Sequence, residues 1–286
     1  MSSAAEILTP KPRGIASVVA GMPTQDGAGV KLTRLIGTPQ LGHVDPFLML
    51  DAFGSDNPND YIAGFPEHPH RGFETVSYMI TGSIAHADNH GGKGLVTDGG
   101  VQWMTAGRGV AHSEMPAQTN GRMFGFQLWI NLPAKEKMRA PWYADIPANA
   151  IPSFDADGAA VRLIAGEWNG RKGPGPERTT APFIADVTIR ANGAAEVPVP
   201  EGHAGFVYAF AGELCIGKDT VSSDKIGVLS PNGPLHASAS AGASGARFLV
   251  VAGRPLREPI AKYGPFVMNT ADEIRTAISD YQNGRF

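Results

Sequence analysis

Two stretches of the chain echo each other, and both read as short strands that end in glycine. Tyr78-Met79-Ile80-Thr81-Gly82 returns 130 residues later as Tyr208-Ala209-Phe210-Ala211-Gly212. A second pair follows at nearly the same spacing, Gly107-Arg108-Gly109-Val110-Ala111-His112 against Pro231-Asn232-Gly233-Pro234-Leu235-His236. Self-similarity at a fixed period is the mark of a duplicated structural unit. The unit itself is β-rich. Residues 30–37, 47–53, 73–86, 101–105, 110–115 and 124–132 are rich in β-branched or aromatic residues and bounded by Gly, Pro, Asp or Asn. Residues 161–165, 183–190, 206–211, 214–217, 226–229 and 247–252 form a second series. The 36 glycines and 23 prolines are about a fifth of the 286 residues, against a usual share of roughly an eighth. That excess favours tight turns over long helices, while 42% hydrophobic residues are enough to fill a core. Regular short strands of this kind predict a sandwich or barrel.

Residues 133–158 read as the connection between the two units, and residues 170–176, rich in Gly and Pro, as an exposed loop of the second. One helix is predicted. Thr270-Ala271-Asp272-Glu273 has the form of a capping box, Ile274, Ile278 and Tyr281 share a face with Ala277 beside them, and Gly284 suits the end of the helix. It is expected to brace the β core. Lys and Arg number 24 against 27 Asp and Glu, a net charge of −3, which argues against direct nucleic-acid binding. No run approaches the roughly 20 apolar residues of a membrane span, and Met1–Gly14 has no apolar stretch of leader length. A single cysteine, Cys215, excludes an internal disulfide and fits a reducing compartment. A cytoplasmic protein is expected.

Chemistry concentrates in the histidines. His68-Pro69-His70 and His112-Ser113-Glu114 each place two donors at positions i and i+2, which share a face of a strand about 6–7 Å apart. Either motif alone is more often structural or simply exposed. If the two strands face one another, three imidazoles and a carboxylate converge, and such donors suit a transition metal better than magnesium or calcium. Glu74, four residues beyond His70, is a competing carboxylate. Phe53, Trp103 and Phe126 are apolar enough to wall a pocket for a flat aromatic, though each is expected to pack in the core. His43, His86, His90 and His203 have no paired spacing.

These motifs sit in longer blocks: Asp45-Pro46-Phe47, His68-Pro69-His70-Arg71-Gly72-Phe73-Glu74-Thr75, Gln102-Trp103-Met104-Thr105-Ala106-Gly107-Arg108-Gly109, His112-Ser113-Glu114-Met115-Pro116 and Gln127-Leu128-Trp129-Ile130-Asn131-Leu132. With Pro255-Leu256-Arg257-Glu258-Pro259 and Gly264-Pro265-Phe266-Val267-Met268-Asn269-Thr270, they resemble the pirin family of the cupin superfamily over nearly the whole chain. The resemblance implies an all-β bicupin: two face-to-face antiparallel β-barrels of jelly-roll type with a C-terminal helix. Residues 1–140 would form the metal-binding unit and residues 141–286 the metal-free one. It implies one non-haem metal ion, Fe2+ first and Mn2+, Ni2+, Zn2+ or Cu2+ as substitutes, held by His68, His70, His112 and Glu114. Glu74 would then orient a ligand imidazole from behind. By the repeat, Pro198 and Pro200 stand where His68 and His70 stand, and His236 matches His112 without partners.

Four protein ligands leave two places on an octahedral ion, the mark of an open site. The resemblance therefore implies a quercetinase-like dioxygenase that opens the ring of a flavonol or catechol with dioxygen, Glu114 serving as catalytic base. The same family also implies a competing function, an iron-dependent regulator that binds a protein partner. A cupin isomerase or a metal-dependent binding protein forms a third class.

Overall fold

The structure is a computed structural model that describes residues 12–156, 158–231, 233–239 and 244–286. Asn232 of the second repeat block and residues 1–11, most of the N-terminal stretch read for a leader, lie outside the described residues. In chain order the first strands are β1 (Ile15–Ala20), β2 (Met22–Asp26), β3 (Val30–Ile36), β4 (Phe47–Ser55), β5 (Phe65–His70), β6 (Phe73–Thr81), β7 (Ile84–Asp88), β8 (Lys93–Val96), β9 (Val101–Thr105), β10 (Val110–Pro116), β11 (Met123–Asn131) and β12 (Trp142–Ile146). Then follow β13 (Ser153–Ala156), β14 (Ala159–Ala165), β15 (Glu167–Trp168), β16 (Arg171–Lys172), β17 (Phe183–Arg190), β18 (Ala194–Val197), β19 (Ala204–Ile216), β20 (Asp219–Ser222), β21 (Lys225–Leu229), β22 (Leu235–Ala239), β23 (Gly245–Gly253), β24 (Ala261–Tyr263), β25 (Phe266–Met268) and the helix α1 (Ala271–Gln282). No helix among the described residues is long and apolar enough to cross a membrane.

The first half stacks a seven-stranded sheet, β12-β9-β6-β11-β4-β3-β2, on a four-stranded one, β5-β10-β7-β8. The second half is one ten-stranded sheet with the main path β1-β21-β19-β23-β17-β14-β13. The 13-residue β19 pairs first with β23 and, past a register shift near Ala209–Ala211, with β20 and β22, so one strand serves both layers.

The expected pair of closed barrels does not hold: among the described residues no sheet closes on itself. The edge strands explain why. Closure needs edge strands with donors to offer, and β5 carries Pro66 and Pro69 while β2 carries Pro23, none with a backbone N–H. On the opposite side of the first half, side chains span the gap instead, with His86 Nε2 2.9 Å from Asp145 Oδ2. The two halves are open sandwiches.

They do pack face to face. Strands at the junction are buried on both sides, so they read as continuous apolar runs. In β19, Val207 and Ala209 enter the second half's own core, while Phe206 and Tyr208 enter the layer between the halves. There Phe47 meets Phe206 edge-on at 5.4 Å, and Phe126 meets Phe210 at 5.1 Å. Two buried polar contacts cross the same layer. Tyr78 donates to Asp186 Oδ2 at 2.7 Å, and Arg178 Nε reaches Glu74 Oε1 at 2.6 Å.

Residues 133–158, read above as a connection, include β12 at the edge of the first sheet and β13 at the edge of the second. The chain also reaches across the molecule at both ends. β1 pairs with β21 of the second half, while α1 docks on the first half through Arg71–Asp280 at 2.8 Å. The predicted capping box is formed at Thr270 and Glu273, Ile274 and Ala277 are buried, and Gly284 takes φ 65°.

Candidate metal centre

Strand β5 is built to present two imidazoles on one side. Its alternation sends His68 and His70 inward, and the intervening Pro69 faces Ala111 of β10. His112 sits opposite His68 in that ladder, and a register shift before Glu114 turns the strand. One nitrogen each from His68, His70 and His112 falls within 4.8 Å of the others. Ring centroids are 4.5–5.1 Å apart, and His68 Nε2 lies 3.0 Å from His70 Nε2.

Their electrostatic state suits a metal. His68 Nδ1 sits 2.8 Å from the Pro66 carbonyl; a proton there leaves the Nε2 lone pair facing the cluster. His70 Nδ1 and His112 Nε2 are buried without a hydrogen-bond partner. Burial, with the neighbouring imidazoles, holds His70 well below the usual histidine range, and burial pushes His112 down to about 4. Near neutral pH both rings are therefore uncharged, the form that binds a transition metal. Three imidazole nitrogens within 4.8 Å of one another, among buried ring nitrogens that lack a protein partner, are what a bound cation would satisfy.

His68 and His70 open onto a cavity of about 620 Å³ that also takes in Glu114, Gln127, Trp129 and Phe53. Glu114 is 3% exposed and is turned toward the seven-stranded sheet, where Ser77 Oγ approaches Oε1 at 2.8 Å and Gln127 Nε2 approaches Oε2 at 2.9 Å. Of the three aromatic candidates, Phe53 lines the cavity, while Trp103 and Phe126 lie in the layer between the halves.

Glu74 takes no part. As a competing ligand or as the support of a ligand imidazole it would have to lie on the face of His68 and His70, where unbroken alternation from His70 would put it, but Gly72, at φ 90°, breaks the strand between them and resets the alternation. No other residue fits there, since a Cβ on Gly72 would lie 1.9 Å from the Val267 carbonyl oxygen. Glu74 therefore points into the layer between the halves, where Thr105 donates to it at 2.5 Å and Arg178 pairs with it.

The second half corrects the repeat alignment by one residue. Val197 pairs with Leu235 there as His68 pairs with His112 in the first half. Val197 and Val199 point inward and Pro198 and Pro200 less so; Leu235 and Ala237 are buried while His236 is exposed and pairs with Glu196 at 3.2 Å. His-Pro-His thus corresponds to Val197-Pro198-Val199, and His112-Ser113-Glu114 to Leu235-His236-Ala237. Of the unassigned histidines, His86 pairs with Asp145 and His203 Nε2 lies 2.9 Å from the Ala181 carbonyl oxygen.

Three supporting residues stand outside any ligand spacing, although Gln127 opens one of the blocks quoted above. Ser77 and Gln127 are visible only once the strand register puts them beside Glu114. Lys137 is 1% exposed and donates to Gly72 O, Asn131 Oδ1 and Val267 O at 2.7–2.9 Å, which ties down the turn that follows His70. A lysine next to a turn reads as solvated, so only its burial reveals it.

Comparison with known proteins finds relatives over nearly the whole length. The Pirin family model matches residues 29–130, and the model of the pirin C-terminal cupin domain matches residues 184–286. A Pseudomonas aeruginosa protein, whose name assigns it provisionally to the quercetin 2,3-dioxygenases, is 45% identical over 280 residues, covering 95% of this chain and 97% of that one. A pirin-like protein of Caulobacter vibrioides is 44% identical over 276 residues, covering 96% and 99%. The crystal structure of a quercetin 2,3-dioxygenase from Acinetobacter baumannii superposes with a TM-score of 0.89 at 33% identity, covering 96% of this chain and 99% of that one.

Proposed function

We propose that this chain, which belongs to the pirin family, is a metal-dependent dioxygenase acting with dioxygen on a flat enolic aromatic, a flavonol such as quercetin or a catechol. One observation carries the proposal: three imidazoles cluster with a nitrogen of each within 4.8 Å of the others, and two of them stand at the wall of an open cavity that also holds aromatic surface and a buried carboxylate. His68, His70 and His112 would hold the ion with Glu114 as the fourth ligand. Fe2+ is the ion we assign, and Mn2+, Ni2+, Zn2+ and Cu2+ accept the same nitrogen and oxygen donors. When bound, such an ion supplies Lewis acidity that makes an enol hydroxyl easier to ionise.

The remaining work falls to the chain. Glu114 lines the cavity and accepts the enol proton as general base. Phe53 and Trp129 offer apolar surface to a planar ring and keep water from it. His70 packs edge-on to Trp129 at 5.3 Å and to Phe73 at 5.1 Å, which fixes its ring. The lone Cys215 suits a reducing compartment, and the proposal places the protein in the cytoplasm.

The test is anaerobic loading with Fe2+ followed by oxygen-electrode measurement with quercetin. Consumption of oxygen in step with loss of flavonol is expected, and its disappearance in Glu114→Gln. No oxygen uptake by iron-loaded protein with any flavonol or catechol would overturn the dioxygenase assignment. Metal-dependent capture of a protein partner would then make regulation the leading function.

A further inference from the structure

Both oxygens of the Glu114 carboxylate are engaged, and by two residues that share one rung of the seven-stranded sheet. Ser77 of β6 lies directly opposite Gln127 of β11. Ser77 Oγ is 2.8 Å from Glu114 Oε1 and 2.5 Å from Gln127 Oε1, and Gln127 Nε2 is 2.9 Å from Glu114 Oε2. The serine has one hydrogen to give. Given to the carboxylate, it leaves each carboxylate oxygen with one hydrogen bond and at least one lone pair free. Ser77 is 3% exposed, so water does not compete there.

The contact is a dedicated one. The same positions in the second half can be read through the strand register, where Val207 lies opposite Val250 as Ser77 lies opposite Gln127. Val207 and Val250 are fully buried in that half's apolar core, and Ala237 stands in the place of Glu114. Where the carboxylate is missing, both of its partners are missing too. The sheet therefore does not require a polar rung at this level.

We propose that Ser77 and Gln127 are positioning residues that hold the Glu114 carboxylate in one orientation, so that its free lone pairs serve the ion bound by the three histidines. This rests on the metal site proposed above. A carboxylate on a two-torsion stem that reaches an ion unaided loses rotamer freedom on binding. One already held by two hydrogen bonds has lost it on folding, and outer partners of this kind usually contribute about 10–100-fold in metal affinity.

The test uses Co2+ as the probe in the full-length protein. Affinity is measured by calorimetry, and the visible absorption of bound Co2+ reports whether a carboxylate oxygen is in its coordination shell. Ser77→Ala and Gln127→Met should each weaken Co2+ binding about tenfold or more and move the spectrum toward that of Glu114→Ala. Ser77→Thr, which keeps the hydroxyl, should restore both. In the Glu114→Ala background, Ser77→Ala should add little. Unchanged affinity and spectrum in both single variants, while the unaltered protein binds Co2+, overturn the positioning role alone. Equal weakening in the presence and absence of Glu114 also overturns it, since the loss would then come from the fold. If the unaltered protein binds no Co2+, the metal site itself fails, and the positioning role with it.

Discussion

One row of strand positions can be followed across both halves, and the two rows are opposite in character. In the first half the ladder runs Arg34, Asp51, Gln127, Ser77 and Gln102, each residue opposite the next. In the second half the matching ladder runs Leu163, Ala185, Val250, Val207 and Gly227. The second interior forms one continuous apolar cluster, whereas the first divides its apolar residues among smaller clusters around a polar centre. The architecture is thus satisfied by aliphatic side chains alone. Polar groups in the first half are present despite the cost of burying them, about 1–3 kcal/mol for each one left without a partner. His70 Nδ1, His112 Nε2, Thr75 Oγ1 and Gln102 Oε1 are all in that condition. Local departures from what a fold needs gather where chemistry is done.

The contrast can be broken hardest by moving the donors. Placing Val197→His, Val199→His, Leu235→His and Ala237→Glu together in the second core should prevent folding. Each imidazole would lose its hydration among aliphatic neighbours, and a domain has only about 5–15 kcal/mol in reserve. Circular dichroism and gel filtration should show an unfolded or aggregated chain. A folded protein that takes up a second metal ion would mean that the two interiors are interchangeable.

The reverse exchange is milder for the fold and decisive for the site. His68→Val with His70→Val copies the second half's Val-Pro-Val into the first. Calorimetric titration should show metal binding abolished, while the metal-free protein melts at the same temperature or higher. Retained metal would place the donors elsewhere.

The pH dependence of the metal-free protein sharpens the comparison further. An imidazole in the unfolded chain takes its proton near pH 6.5, but burial delays His112 to about 4. Between those values the unfolded state holds more protons, so stability falls as pH is lowered through this window. The full effect of His112 approaches about 3 kcal/mol. Urea melts at pH 6.5, 5.5 and 4.5 should show the decline, and His112→Leu, which installs the second half's residue, should make it shallower, the remainder coming from His70. An unchanged slope in that variant would assign the decline to other groups.

Much of this was legible in the residues. Short strands between glycines and prolines, the paired His-x-His and His-x-Glu spacings, and the capping box at Thr270 are local patterns, and local patterns survive folding. The parts that were not legible all depend on where one strand stops relative to another. Gly72 flips the parity of β6, which carries Glu74 away from the histidines and brings Ser77 to Glu114. A slip of one residue hid the match of His-Pro-His to Val197-Pro198-Val199, because a repeat alignment without pairing partners cannot tell an inward position from its neighbour. Closure into barrels failed for a similar reason. Whether two edges meet is a property of partners distant in the chain, and the prolines of β5 and β2 decided it.

Metal stoichiometry tests the central claim, that the site chemistry is confined to the first half. The protein is stripped with a chelator, reloaded with Fe2+ without oxygen, desalted and analysed for metal per chain, alongside His112→Ala and His236→Ala. One ion per chain is expected, lost in His112→Ala and kept in full by His236→Ala, whose side chain is exposed and paired with Glu196. Two ions per chain, or an ion that survives in His112→Ala and disappears in His236→Ala, would contradict it.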